Sequence, residues 1–278
     1  VGAVRKVALV TDSSTCLPLD LVEALAIRVV PITVHLPDVD RVDGSDQLSR
    51  RISEAVERDQ YVRSSHPFIT DYLAAIEDCG TAAVVVVTPA MEFAGMYRNA
   101  ALAAELSRAT AVAVDSRTAA AGQALVVLAG AEAAARGAPL DEVLAVIEDA
   151  SRRVDLVASL EALEPIRRSR RVPSNALRRL GLEGTRSVFR MRDGGVEPLG
   201  DVATADLALE AIREAWSYCP PPGPERCTVF HADCPDLAAR LEATIGRVDF
   251  VSGFSAAMQI HTGRGVVGAA WLEPSDGG

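Results

Sequence analysis

Val84 to Ala100 reads VVVVTPAMEFAGMYRNA. The four valines, led in by Ala82 and Ala83, form an unbroken aliphatic run. Such a run predicts a strand buried on both faces, as in parallel sheets. The chain then turns at Thr88-Pro89-Ala90 and takes on helical character through Ala104. Ligands of open α/β sheets bind beyond the carboxyl ends of such strands, so the loop Thr88 to Tyr97 is a candidate site wall.

The same pattern recurs on either side. Lys6 to Thr11 (KVALVT) predicts a first buried strand that ends in Asp12-Ser13-Ser14, followed by a helix over Leu17 to Ala26. Ile27 to Leu36 predicts a second strand, with Pro31 marking an edge or a break. Pro37 to Gln47 reads as loop and Leu48 to Arg58 as helix. Tyr61 to Pro67 reads as extended, because a residue before proline is pushed out of helical space. Helices are expected over Phe68 to Asp78, Thr118 to Arg136 and Leu140 to Ser151, with a strand at Thr110 to Val114 that ends in Asp115-Ser116. Strand alternating with helix predicts a parallel sheet whose polar loops share one edge. Residues 1–155 are therefore read as an N-terminal parallel α/β domain.

Residues 156–278 read differently. Asp155 to Ser159 reads as a strand, Leu160 to Arg168 and Asn175 to Leu182 as short helices. Ser187 to Met191 and Val196 to Leu199 flank an Asp193-Gly194-Gly195 turn and predict a hairpin. Helices over Thr204 to Tyr218 and Leu237 to Ile245 alternate with strands at Cys227 to His231, Val248 to Val251 and Val266 to Leu272. This half is a mixed α/β domain, and the fold class is α/β with two domains.

Bulk properties narrow the function. The 278 residues are 49% AVILMFWYC but only 4% aromatic, which fits an aliphatic core. A net charge of −10 disfavours nucleic-acid binding, which needs a basic face. No apolar run is long enough for a transmembrane segment, and the N-terminus reads as a strand start rather than a signal peptide. Five cysteines without a C-x-x-C spacing suggest neither zinc nor a disulfide framework, so a cytoplasmic location is expected. No metal or cofactor is expected.

Three motifs need weighing. Gly263 to Gly268 matches G-x-G-x-x-G, but it runs into β-branched residues and Trp271 instead of opening a helix, so it is not read as a dinucleotide loop. Ser64, Ser65, His66 and His261 are residue types of a hydrolase triad, yet their spacing does not put them in contact. Arg167, Arg168, Arg170, Arg171, Arg178 and Arg179 form a basic patch in an acidic chain, either a solvated face or a seat for an anionic group.

Several segments together resemble the DegV family of bacterial lipid-binding proteins. Thr11-Asp12-Ser13-Ser14 is similar to the family's opening after its first strand. Ser64-Ser65-His66-Pro67 resembles its T-S-Q-P segment, and Phe93-Ala94-Gly95-Met96-Tyr97 its L-S-G-T-Y segment. Asp115-Ser116 matches its D-S, Leu163 to Val172 resembles L-E-Y-L-R-R-G-G-R-I, and His261 to Gly265 resembles H-T-G-P-G. The resemblance implies two domains that enclose an acyl chain, with a long-chain fatty acid or similar amphiphile as ligand. It also implies a fatty acid kinase subunit as partner, which supplies the ATP site; the chain itself has no catalytic residues in this reading. The ligand-binding candidates are Ser64, Ser65, His66, Ala94, Gly95, Arg171, His261 and Thr262. The departures are specific: Ala94 and Met96 replace hydroxyl residues, His66 replaces Gln, and Ser169-Arg170 replaces a Gly pair. A DegV-like binder of another amphiphile without a kinase role is the alternative, and a small-molecule hydrolase using Ser64, His66 and Asp12 or Asp115 is a third reading.

Overall fold

The structure, a computed structural model, describes residues 6–43, 46–58, 60, 62–92, 95–169, 181, 183–219 and 223–275. The first strand, β1 (Val7–Asp12), and the opening valine run, now β6 (Ala83–Thr88), lie side by side in a four-stranded sheet. Its order is β2-β1-β6-β7, with β2 at Arg28–Val30 and β7 at Thr110–Asp115, and every pairing is parallel. Alternation along the strands fills both faces, as the unbroken run requires. Ala8, Val10, Val84 and Val86 point toward helices α3 (Ile69–Asp78) and α4 (Met96–Leu106). Val7, Leu9, Val85 and Val87 point the other way, toward α5 (Ala120–Ala135) and α6 (Leu140–Arg153).

Helix α5 is the middle of the molecule. Thirteen of its sixteen residues are buried, so it has no polar stripe. A helix apolar all round is one enclosed on all sides. On its far side lies a six-stranded mixed sheet, ordered β10-β9-β8-β13-β11-β12. These strands are β8 (Val154–Leu160), β9 (Arg186–Arg192), β10 (Gly195–Val202), β11 (Arg226–His231), β12 (Phe250–Gly253) and β13 (Val267–Leu272). Only β11 and β12 pair in parallel; the other neighbours are antiparallel. Leu156, Ala158, Phe230 and Ala270 face the α5 side, while Val157, Val229, Ala269 and Trp271 face α8 (Ala205–Ser217) and α9 (Pro235–Ile245). The layers are therefore helix, parallel sheet, α5, mixed sheet, helix, and one continuous core spans the middle three.

Two elements differ from the sequence reading. The expected strand over Ile27 to Leu36 is two strands, because Pro31 breaks it as its missing N–H allows. The second piece, β3 (Thr33–His35), joins β4 (Asp40–Val42) and β5 (Arg63–Ser65) in a small antiparallel sheet, so the stretch read as loop contains a strand. A helix that the sequence reading missed, α10 (Ala256–Thr262), packs on this small sheet and on α2 (Asp46–Glu57). Its signals are present: Ser255 caps it by accepting from the Met258 N–H at 3.4 Å, and Gly263 ends it with φ +75°. The short helices α1 (Leu19–Ala24) and α7 (Glu164–Ser169) complete the described α-helices, and a single 3-10 turn spans Ser13–Thr15. Most of the helix read at Asn175 to Leu182 lies outside the described residues.

Candidate functional site

An apolar cavity lies between the α5 layer and the mixed sheet. Leu156, Ala158, Leu160, Phe189, Met191 and Phe230 form its sheet wall, and Met96, Ala119, Ala120, Phe254 and Met258 close over it. The space open to the centre of a water molecule is about 140 Å³. One water needs about 10–15 Å³ on that measure, so the void admits a molecule far larger than a single water. Among the described residues its polar lining is Ser14, Ser64, His66, His261 and Thr262.

The small sheet and α10 deliver most of that polar set. Antiparallel pairing with β3 holds Ser64 and Ser65 extended on β5, and strand alternation sends neighbouring side chains to opposite faces. Ser64 faces the cavity, and its Oγ stands 2.6 Å from His261 Nε2. These residues are 197 positions apart and do touch, which corrects the expectation from spacing alone. Ser65 does not line the cavity; its Oγ stands 2.6 Å from His35 Nε2, while His35 Nδ1 meets Asp40 at 2.7 Å. Thr262 donates its hydroxyl to the carbonyls of Met258 and Gly263, both at 3.1 Å. Gly95 is the exposed N-cap of α4, beside His66: a Cβ there would lie 3.9 Å from His66 Nδ1. Met96, the departure from a family hydroxyl, is buried and contributes an apolar surface to the cavity. Ala94 and Arg171 lie outside the described residues, as do Arg170, Arg178 and Arg179.

Polar residues behind the cavity hold this end in place. Asp43, within the stretch read as loop, accepts from Ser13 Oγ at 2.8 Å and from the Ala257 N–H at 3.1 Å. Ser13 Oγ in turn accepts from the Ile32 N–H at 3.1 Å. One carboxylate thus ties the end of β1, the small sheet and the start of α10 together. Asp12 is fully buried next to them and accepts from the Ser14 N–H at 3.0 Å and from Ser14 Oγ. Gln123 Nε2 of α5 lies 3.4 Å from its other oxygen. Burial pushes the Asp12 carboxyl up to about 6, against the opposing pull of its Ser14 and Gln123 donors. Asp115 accepts backbone N–H groups from Arg117 at 2.8 Å and Met91 at 3.4 Å, and neither Asp12 nor Asp115 lines the cavity. Burial raises the Asp115 carboxyl above its ordinary value.

Among the described residues no group of histidines, cysteines and carboxylates is arranged to hold a metal ion, and no helix is long and apolar enough to cross a membrane. The glycine motif runs from the end of α10 into β13, the reverse of the strand-to-helix order a dinucleotide needs. Gly263 and Gly265 both have φ +75° and serve the turn between these elements.

The architecture defines an α/β protein with a parallel and a mixed sheet on either side of one buried helix, and an apolar cavity with a few polar side chains in its lining. Residues 6–274 match the family model described as an uncharacterised protein of the DegV family. The chain belongs to the DegV family. It is 31% identical over 272 residues to a DegV domain-containing protein of Mycobacterium tuberculosis, covering 94% of this chain and 95% of that one. A second DegV domain-containing protein, from Streptomyces coelicolor, is 28% identical over 273 residues and covers 95% and 97%. A solved DegV family structure from Thermus thermophilus, reported for its fatty acid binding, superimposes with a TM-score of 0.86 at 25% identity, over 97% of this chain and 100% of that one.

Proposed function

We propose that this chain is a cytoplasmic binding protein, not an enzyme, that holds a long-chain fatty acid and presents its carboxylate to a partner kinase. The carrying observation is the apolar cavity whose polar lining gathers at Ser64, His66 and His261. Each buried methylene of the acyl chain contributes about 0.8 kcal/mol, so the wall supplies affinity and the polar side chains supply orientation. The fatty acid binding reported for the Thermus protein supports the same ligand class. Ala94 and Arg171 belong to the proposed head-group site on the family resemblance alone.

Extraction of the purified protein into organic solvent, followed by mass spectrometry, tests the ligand. A co-purifying fatty acid is expected; no acyl ligand together with no binding of added fatty acid overturns the reading. Incubating the loaded protein with ATP and a fatty acid kinase tests the partner, with acyl phosphate as the expected product.

A second reading is a binder of another amphiphile with no kinase role. Met96 favours it, because an apolar side chain lines the cavity where the family resemblance places a hydroxyl. A different lipid in the extract, with no acyl phosphate formed, is the outcome that selects it.

A further inference from the structure

The outer face of the small sheet carries a serine, a histidine and an aspartate in contact. The strand order is β4-β3-β5, with both pairings antiparallel. His35 on β3 pairs directly with Asp40 on β4 and with Arg63 on β5. Ser65 stands two residues on from Arg63, so alternation returns it to the same face as a diagonal neighbour of His35. The turn between β3 and β4 is closed by the Leu36 N–H, which donates to the Val39 carbonyl at 3.0 Å and so fixes Asp40 opposite His35. The inner face is buried: Val34 is 0% exposed and packs with Ala256 and Ala257 of α10. Ser64 belongs to that inner side, so the two neighbouring serines of β5 serve different faces.

The imidazole joins the other two groups. Its Nδ1 lies 2.7 Å from Asp40 Oδ1 and its Nε2 lies 2.6 Å from Ser65 Oγ. A carboxylate only accepts, so Asp40 holds a proton on Nδ1 and leaves the Nε2 lone pair directed at the serine. The Ser65 hydroxyl then donates to Nε2. This is the order of groups in a Ser-His-Asp relay: nucleophile, base and orienting carboxylate, each at hydrogen-bond distance from the next. Sequence spacing hides it, since Ser65 lies 30 residues from His35.

We propose that Ser65 is an activated serine that accepts an acyl group from an activated acyl donor, such as an aryl ester, a thioester or an acyl phosphate. Ser65 Oγ forms the bond to the acyl carbon while its proton passes to His35 Nε2. The bond from that carbon to the leaving oxygen or sulfur then breaks. The leaving group departs with the proton, and an ester remains on Ser65. Arg63, across from His35, brings positive charge to the face where the oxyanion develops. The face is open to solvent: the Asp40 side chain is 67% exposed and Val42 is 62% exposed. It therefore suits a single acylation by a donor already activated rather than turnover, which keeps the chain a binding protein. The inference does not rest on the lipid reading, and either can fail alone.

Treating the purified protein with p-nitrophenyl acetate tests the proposal. An acetyl group on Ser65 is expected, assigned against Ser64 by tandem mass spectrometry; Lys6 is the only lysine, so acylation of a side-chain amine is easily told apart. The rate of Ser65 acetylation is expected to fall about a hundredfold in His35→Ala, the lower end of what general-base assistance gives. Asp40→Asn is expected to slow it about fivefold, in keeping with an exposed pair. Circular dichroism and the melting curve establish that each variant is folded, and Asp40→Asn carries the test if His35→Ala does not fold. Ser65 left unmodified, or labelled at the parent's rate in the folded variants, overturns the proposal and leaves the three side chains as a hydrogen-bonded seam between strands. Titration of the same preparation with a fatty acid reads the lipid function separately.

Discussion

Among the described residues, each of the two larger sheets buries one aspartate completely, and they are stabilised in opposite ways. Asp12 ends β1 of the parallel sheet and Asp155 lies in β8 of the mixed sheet; both are 0% exposed. Asp155 is met by cations. Arg190 Nε donates to both its oxygens at 2.9 Å, and Arg192 Nη1 stands 3.5 Å away. Asp12 is met by neutral groups, the Ser14 backbone and hydroxyl and the Gln123 amide. An isolated buried charge is costly, so it is either paired or neutralised. The mixed sheet pairs its carboxylate; the parallel sheet raises the carboxyl to about 6.

The largest effect is expected where the pair is cut. Arg190→Ala leaves the Asp155 carboxylate buried with Arg192 as its remaining cation, and a loss of about 3–5 kcal/mol is expected in urea unfolding. Replacing both partners by apolar residues, Asp155→Leu with Arg190→Met, should recover most of that loss, since a packed apolar pair needs no compensation. An Arg190→Ala protein within about 1 kcal/mol of the parent would mean that Arg192 alone satisfies the carboxylate, against the geometry seen at 2.9 Å.

Asp12 should respond with the opposite sign. Its carboxyl is raised from 3.8 to about 6, so the neutral form suits the fold. The stability it contributes is full below about pH 3.8 and is lost as pH rises through about 6. Ionising it costs about 3 kcal/mol. Asp12→Asn removes that cost and keeps an acceptor for the Ser14 N–H. The variant is expected to match or exceed the parent at pH 8 by up to that amount, and to lose its advantage toward pH 4. Melting temperatures across that range check it; a variant much weaker than the parent at pH 8 would show that the carboxylate is needed in its charged form.

The two sheets also differ in how far the sequence disclosed them. β6 announced itself by Val84 to Val87, because burial on both faces requires apolar residues at every position. Helix α5 was legible as a long helix of small residues, though its place between two sheets follows only from the packing on both its sides. Of the residues named through the family resemblance, Ser64, His66, His261 and Thr262 line the cavity, but their meeting was not legible as a contact. Ser64 and His261 meet because β5 and α10 pack together, and neither the short strand β4 nor α10 was read from the sequence. Three-residue strands carry too little periodicity to be recognised, and α10 offers only seven residues between its caps.

A smaller change is expected among these polar residues. Ser64→Ala removes the hydroxyl beside His261 and should weaken binding of a fatty acid by about 1.5–3 kcal/mol, the usual worth of a hydrogen bond to a charged group. Calorimetric titration of the delipidated variant reads it directly, while its unfolding curve should stay near the parent's. Equal affinities would place the head group elsewhere in the cavity.

The smallest effect belongs to the contact that joins the two sheets at the surface. Arg117, in the turn before α5, reaches Asp193 at the tip of the β9–β10 hairpin at 2.6 Å. The geometry is as close as that of the buried pair, yet the side chains are 51% and 66% exposed. Water screens both charges with or without the contact, so Arg117→Ala should cost only about 0–1 kcal/mol. Arg117 already holds φ at +56°, so alanine inherits the same backbone strain and the comparison isolates the side chain. The backbone bond from the Gly194 N–H to the Arg117 carbonyl, at 2.7 Å, survives the substitution and keeps the hairpin docked. Any loss should shrink further as salt is raised, whereas the Arg190→Ala loss should not. A salt-insensitive cost of several kcal/mol at Arg117 would mean that exposure does not separate the two pairs, and that the hairpin depends on its tip as much as the sheet depends on Asp155.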